Sequence, residues 1–262
     1  MEKHFIYKLA LRYPQILIPI SKDARQSEEY KDVVLRGKQS YRTPVFSFDS
    51  NDKLESFKTE VGDIEVITMY QRQDFVHMAR CLGNRCEPEE IPDSTGAMAI
   101  FGLNNWDKVR AGLDNYKDSI ILLSSGYYSN VSHNDINSVC NMALSNNEWI
   151  EKSITIRKYH ELTHIIMRKK YPDNINAIRD EIIADAIGIY SAFSYLDIKM
   201  LKLFLGLEND VYREGGRLQN YEGGQIENIP EILKMIDKLD NKFKVFIGKP
   251  IDYIWNNINE LM

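Results

Sequence analysis

His160-Glu161-Leu162-Thr163-His164 decides how the second half of this chain is read. In a helix, residues four apart share one face, so both imidazoles point the same way, with a carboxylate beside the first. Imidazoles and carboxylates are the donors of catalytic zinc sites, and this spacing is the form such a site takes on a helix. The chain holds only five histidines. By composition alone the pattern would arise about 0.007 times in a sequence of this length, so accident explains it poorly.

The surroundings fit a helix. Residues 148–170 contain neither Gly nor Pro, and Trp149, Ile150, Ile154, Ile156, Leu162, Ile165, Ile166 and Met167 recur at helical intervals. Arg168, Lys169 and Lys170 suit a helix C-terminus. Tyr171-Pro172-Asp173-Asn174 breaks the run. A second helix starts near Asn176 and carries Ile178, Ile182, Ile183, Ala184, Ala186 and Ile187. The short link predicts an antiparallel helical hairpin. His164 then lies roughly 9 Å before the end of the first helix and Glu181 roughly 8 Å into the second, so the two come level. Glu181 completes a His, His, Glu set that leaves a fourth position for water, which separates catalytic from structural zinc. Asp185 follows one turn later on the same face, where it can accept the free ring N–H of a ligand histidine. Asp180 and Asp185 are rival third ligands.

The pattern HELTH followed by DEIIAD resembles the gluzincin group of metallopeptidases, to which the thermolysin-like enzymes belong. The resemblance covers roughly residues 148–200. It implies one Zn2+ per chain held by His160, His164 and Glu181, with Glu161 as general base and Asp185 behind a ligand histidine. It also implies a peptide or protein substrate. On that reading a metal-bound water attacks the peptide bond, and Glu161 takes its proton and passes it to the leaving amine. The oxyanion needs a donor opposite the metal, which members of this group supply from later in the chain as Tyr, His or Arg. Here the candidates lie in residues 211–224, a loop marked by two Gly-Gly pairs. Tyr221 and Arg217 are preferred, with Tyr212 in reserve; a solvated surface connector is the competing reading.

Residues 94–103 read as a short strand. Gly96-Ala97-Met98 is similar to the start of the substrate-binding strand of zinc aminopeptidases, whose motif continues Glu-Asn. This chain continues Ala99-Ile100, so the residue that would grip a free N-terminus is missing. The strand serves either as an edge that pairs with substrate backbone or as ordinary core.

The wider organisation predicts an α+β protein: a mixed α/β lobe over residues 1–147 with a small sheet, then a mainly helical lobe over residues 148–262 carrying the metal site. Residues 45–48, 64–69 and 120–124 read as strands, and residues 73–82 and 107–116 as helices, the latter entered through an N-cap at Asn104-Asn105-Trp106-Asp107. Residues 126–147, polar and Asn-rich, read as a transition zone. Beyond the hairpin, helix is expected through Leu205, then over residues 230–239 and 251–261.

Composition sets the outer limits. A net charge of -5 gives no electrostatic case for nucleic acid. No segment reaches the length of a membrane span, and the first twenty residues lack a clean secretory pattern, so a cytoplasmic protein is expected. Cys81, Cys86 and Cys140 suit a reducing compartment, and their spacing with His77 fits no strong zinc pattern. Two alternatives to the peptidase stand open. One is a non-haem iron enzyme, since two histidines and one carboxylate also form that facial triad; Glu161 then has no role. The other is a non-catalytic metal-binding regulatory protein. Oligomeric state and substrate sequence are not encoded in any motif.

Overall fold

The computed structural model of the chain describes residues 20–36, 46–84, 87–101, 119–214, 216–221 and 228–262. The architecture is α+β, in two compact units, Met1–Ser125 and Gly126–Met262. Among the described residues no helix is long and apolar enough to cross a membrane.

The first unit is built on a mixed four-stranded sheet. β1 (Lys53–Thr59) and β2 (Gly62–Met69) form a hairpin whose register closes at Thr59 opposite Gly62. Gly62 supplies the positive φ of 111° that the turn requires. Helix α1 (Arg72–Leu82) follows, then β3 (Ala97–Phe101) and β4 (Ser119–Ser124). The order is β1-β2-β4-β3, with β2 and β4 parallel and both outer pairs antiparallel. β4, Ser-Ile-Ile-Leu-Leu-Ser, is buried along its whole length, as its uninterrupted apolar run requires of a central strand. Phe75, Met78, Ala79 and Leu82 of α1 pack on Ile67, Met69, Ile100, Ile120 and Leu122. Each large side chain so buried contributes about 1.5–3 kcal/mol. The strand expected around Gly96 is β3, and it lies at a sheet edge.

Two expectations for this unit need correction. Phe46, Ser47 and Phe48 form no strand. The N–H groups of Ser47 and Phe48 instead donate to the two carboxylate oxygens of Asp74, each at 2.9 Å, and Phe48 turns to a φ of 52°. Apolar β-formers are held here by a buried side chain at the start of α1. Conversely, β1 has no counterpart among the expected strands: Lys-Leu-Glu-Ser-Phe-Lys-Thr is an exposed, charged edge, which is how sheet edges resist further pairing. The expected helix over residues 107–116 and its N-cap lie outside the described residues, as does Cys86, while Cys81 is described in backbone alone.

The second unit is helical: α2 (His133–Cys140), α3 (Asn146–Lys170), α4 (Ala177–Phe193) and α5 (Ile198–Leu205) come first. A short hairpin follows, β5 (Leu207–Glu208) and β6 (Val211–Tyr212), then α6 (Ile229–Phe246) and α7 (Ile251–Asn256). α3 opens on a capping box in which Ser145 and Glu148 satisfy each other's end of the helix. The α3–α4 hairpin stands as the spacing predicts, with Asn176 capping α4. Gly188 lets the two helices touch: a Cβ there would lie 2.7 Å from the Ile156 carbonyl oxygen. The expected continuation through Leu205 is interrupted, because Ser194 takes a left-handed φ of 66° and Asp197 caps a separate α5.

The division between units falls after Ser125, whereas the sequence reading sets it after Asn147. Residues 126–147 belong with the helical unit because they are bonded into it. The Trp149 indole donates to the Val131 carbonyl at 2.8 Å, and Tyr128 reaches the hairpin.

Candidate metal centre

α3 supplies His160 and His164 from successive turns, and α4 faces them with Glu181. The register of α3 at the motif is pinned from behind. Trp255 of α7 donates to the Thr163 hydroxyl at 3.0 Å, and that hydroxyl donates to the Tyr159 carbonyl at 2.7 Å. His160 Nε2 lies 3.0 Å from His164 Nε2 and 3.4 Å from Glu181 Oε2, while His164 Nε2 lies 3.1 Å from Glu181 Oε1. A tetrahedral zinc with bonds of about 2.0 Å separates its ligands by about 3.3 Å. Measured from each ring to its nearer carboxylate oxygen, the three separations are close to that value, and the donors are the types zinc takes. His160, His164 and Glu181 are the only such group of His, Cys, Asp or Glu among the described residues.

Neither rival acid joins the triangle. Asp180 turns to the helix start, where it pairs with Arg179 at 3.0 Å and accepts the Asn176 N–H at 3.1 Å. Asp185 sits behind His160 on the Nδ1 side, with its Oδ1 at 2.8 Å. Glu161 is half-buried beside the first histidine and has no hydrogen-bond or ion-pair partner among the described residues.

The loop of residues 211–224 divides its candidates. Tyr221 is at the triangle, its hydroxyl donating to Glu181 Oε2 at 2.8 Å. Arg217 is near but committed elsewhere: Nη2 donates to Asp185 Oδ2 at 2.5 Å and lies 3.5 Å from Glu181 Oε2, and Nη1 donates to Ser129 Oγ and to the Tyr128 hydroxyl. Arg217 thus stands as a partner for the two acids. Tyr212 is not part of the centre; its hydroxyl donates to the Gly216 carbonyl at 2.7 Å. The described part of this loop is thus no loose connector. Gly206, at a φ of +82°, brings its Cα against Gly216, where an added Cβ would stand 2.6 Å from the Gly216 Cα. That contact seats the short 3-10 turn Arg217–Asn220 against the end of α5.

Tyr128 is the residue that sequence reasoning missed. It is buried, and its hydroxyl lies 2.9 Å from His160 Nδ1 and 2.5 Å from Asp185 Oδ1. Its ring meets Phe204 edge-on at 4.9 Å and has the guanidinium groups of Arg217 and Arg157 at 5.4 and 5.8 Å from its centroid. No spacing rule links residue 128 to residue 160. The one available sign was an aromatic pair, Tyr127-Tyr128, inside an otherwise polar stretch.

The charges balance within this buried cluster. Burial works against the Asp185 carboxylate, but Arg217 and the hydrogen bond to His160 hold it well below the usual carboxylate range. Burial likewise opposes the charge on Glu181, yet the bond to His164 and the charges of His160, His164 and Arg217 bring it down to about 2. For His160 burial pushes downward, and the bonded Asp185 together with Glu181 and Glu161 turn the net shift upward. Burial pushes the Tyr221 phenol up, so it stays a proton donor.

Among the curated proteins none matches this chain, and none of the solved structures does. A protein-family model described as a family of unknown function (DUF7005) matches residues 2–115 and 111–242. Those segments run through both units and include every residue of the His160–His164–Glu181 triangle and its partners, and on that extent the chain belongs to the DUF7005 family.

Proposed function

We propose that the protein is a zinc-dependent hydrolase of peptide bonds, a metallopeptidase of the gluzincin type, acting on a peptide or protein in the cytoplasm. One observation supports the reading most: three donor groups from two helices approach one another at 3.0–3.4 Å, and the carboxylate of Glu161, which has no hydrogen-bond or ion-pair partner among the described residues, stands next to the first. His160, His164 and Glu181 would hold one Zn2+ per chain. Zinc supplies a Lewis acid that polarises a carbonyl and lowers the pKa of water.

The chain's own residues do the rest. Glu161 accepts a proton from the attacking water and returns it to the leaving amine. Tyr221 donates its phenolic proton toward the developing oxyanion; its hydroxyl already stands at the edge of the triangle, 2.8 Å from Glu181. Asp185 orients His160 through Nδ1. Cytoplasmic location is supported by the low count of cysteines, three in the chain, which suits a reducing compartment.

The test is a peptide-library digest read by mass spectrometry, with a chelator control and with Glu161→Gln. The unaltered protein is expected to cleave and to stop when chelated. Glu161→Gln should keep one equivalent of zinc and lose cleavage by a factor of at least about 100, the usual size of a general-base contribution. Protein purified without added metal that carries one equivalent of iron and consumes oxygen would overturn this reading in favour of an iron enzyme. Zinc bound with no cleavage of any peptide would leave a non-catalytic metal protein.

A further inference from the structure

We infer that Tyr128 is a positioning residue for the metal centre: with Asp185 and Arg217 it fixes which nitrogen of His160 carries the proton, and so leaves the Nε2 lone pair for the metal position that His160 shares with His164 and Glu181. This deepens the zinc reading and rests on it. The argument is a count of protons. A tyrosine hydroxyl has one to give, and Tyr128 gives it to Asp185 Oδ1 at 2.5 Å. Arg217, which can only donate, approaches the same hydroxyl at 3.1 Å and Asp185 Oδ2 at 2.5 Å. The two oxygens within reach of His160 Nδ1, at 2.8 and 2.9 Å, are therefore both acceptors. Nδ1 must hold the hydrogen, and a ring that ligates a metal carries no second one, so Nε2 is left bare on the metal side.

The surroundings show that this tyrosine is held deliberately. Ser129 and Asn130, directly after it, both take positive φ values of 51° and 57°. Non-glycine residues adopt that conformation at a cost that the rest of the fold must offset. Ser129 Oγ accepts from the same Arg217 Nη1 at 2.8 Å, so the strained turn is tied to the guanidinium that closes the network.

The experiment uses the full chain. Zinc affinity is measured by competition with a chromophoric chelator, and the cobalt-loaded protein by its visible spectrum, for the unaltered protein, Tyr128→Phe, Arg217→Lys and the double variant. Tyr128→Phe removes only the hydroxyl and keeps the ring packing, so the variant should fold, with a thermal midpoint without metal lowered only by what one lost buried hydrogen bond costs. It is expected to weaken zinc roughly 10- to 100-fold and to change the cobalt spectrum, as losses of such outer partners do. Both side chains act through Asp185 and His160, so the double variant should lose no more than the worse single variant. Equal zinc affinity and an identical cobalt spectrum in Tyr128→Phe, or fully additive losses, would overturn the inference while leaving the zinc reading standing. If Tyr128→Phe does not fold, Arg217→Lys alone decides, since unchanged affinity there is equally fatal. Absence of zinc binding by the unaltered protein overturns both.

Discussion

Glu181 and Asp185 stand one turn apart on α4, and each meets a phenol and the Arg217 guanidinium, yet they face different nitrogens of the histidines. Glu181 meets two Nε2 atoms, whereas Asp185 meets Nδ1 of His160 alone. The helix repeat explains why both face α3; on the proposed reading, the ring side that each one meets separates ligand from orienter. The depressed carboxyl of Glu181 gives a pH prediction. Its folded value of about 2 lies below the ordinary 4.5, so it contributes stability that is present above pH 4.5 and lost as pH falls toward 2. After removal of metal by a chelator, urea midpoints should therefore fall between pH 5 and 3, and Glu181→Gln should flatten that dependence. An equally steep fall in the variant would contradict the assignment. At this scale His160, Glu161, His164, Glu181 and Asp185 were legible because each obeys a helical spacing. Tyr128 was not, since its partners lie 32 and 57 residues away.

Helices obeyed local signals and one strand did not. The capping box at Ser145 and Glu148, the breaker at Pro172 and the cap at Asn176 delimit α3 and α4 from within the chain. Residues 46–48 have the composition of a strand, but a carboxylate twenty-six or so residues later takes their N–H groups. β1 shows the converse: a polar heptapeptide becomes a strand because β2 offers it a partner in register. Within the hairpin, Gly188 is the tightest point, and Gly188→Ala would drive a methyl into the Ile156 carbonyl. Overpacking of this kind costs about 1–3 kcal/mol. Chemical denaturation should show that loss, and zinc affinity should weaken with it, because the helices that carry the ligands are forced apart. Unaltered stability would mean that the hairpin relaxes freely.

For the whole molecule, the metal reading predicts linkage between binding and folding. A ligand held only by the native state stabilises it by about 2.7 kcal/mol when free at 100 times its Kd. Zinc at that excess should raise the thermal midpoint of the unaltered protein, and His164→Ala should abolish the increment; an equal increment in the variant would place the ion elsewhere. The helical hairpin, its two histidines and its acids were determined by the sequence alone, since turns, caps and 3.6-residue spacing act over a few neighbours. Three things were decided only by tertiary structure. The unit boundary after Ser125 is one, and the edge strand β1 is another. The third is the junction of Tyr128, Asp185 and Arg217 behind His160. The junction joins residues far apart in the chain, and its pairing follows from burial of polar groups that must find partners once water is excluded, a condition that exists only in the folded protein. β1, by contrast, is exposed and owes its strand form to backbone pairing with β2.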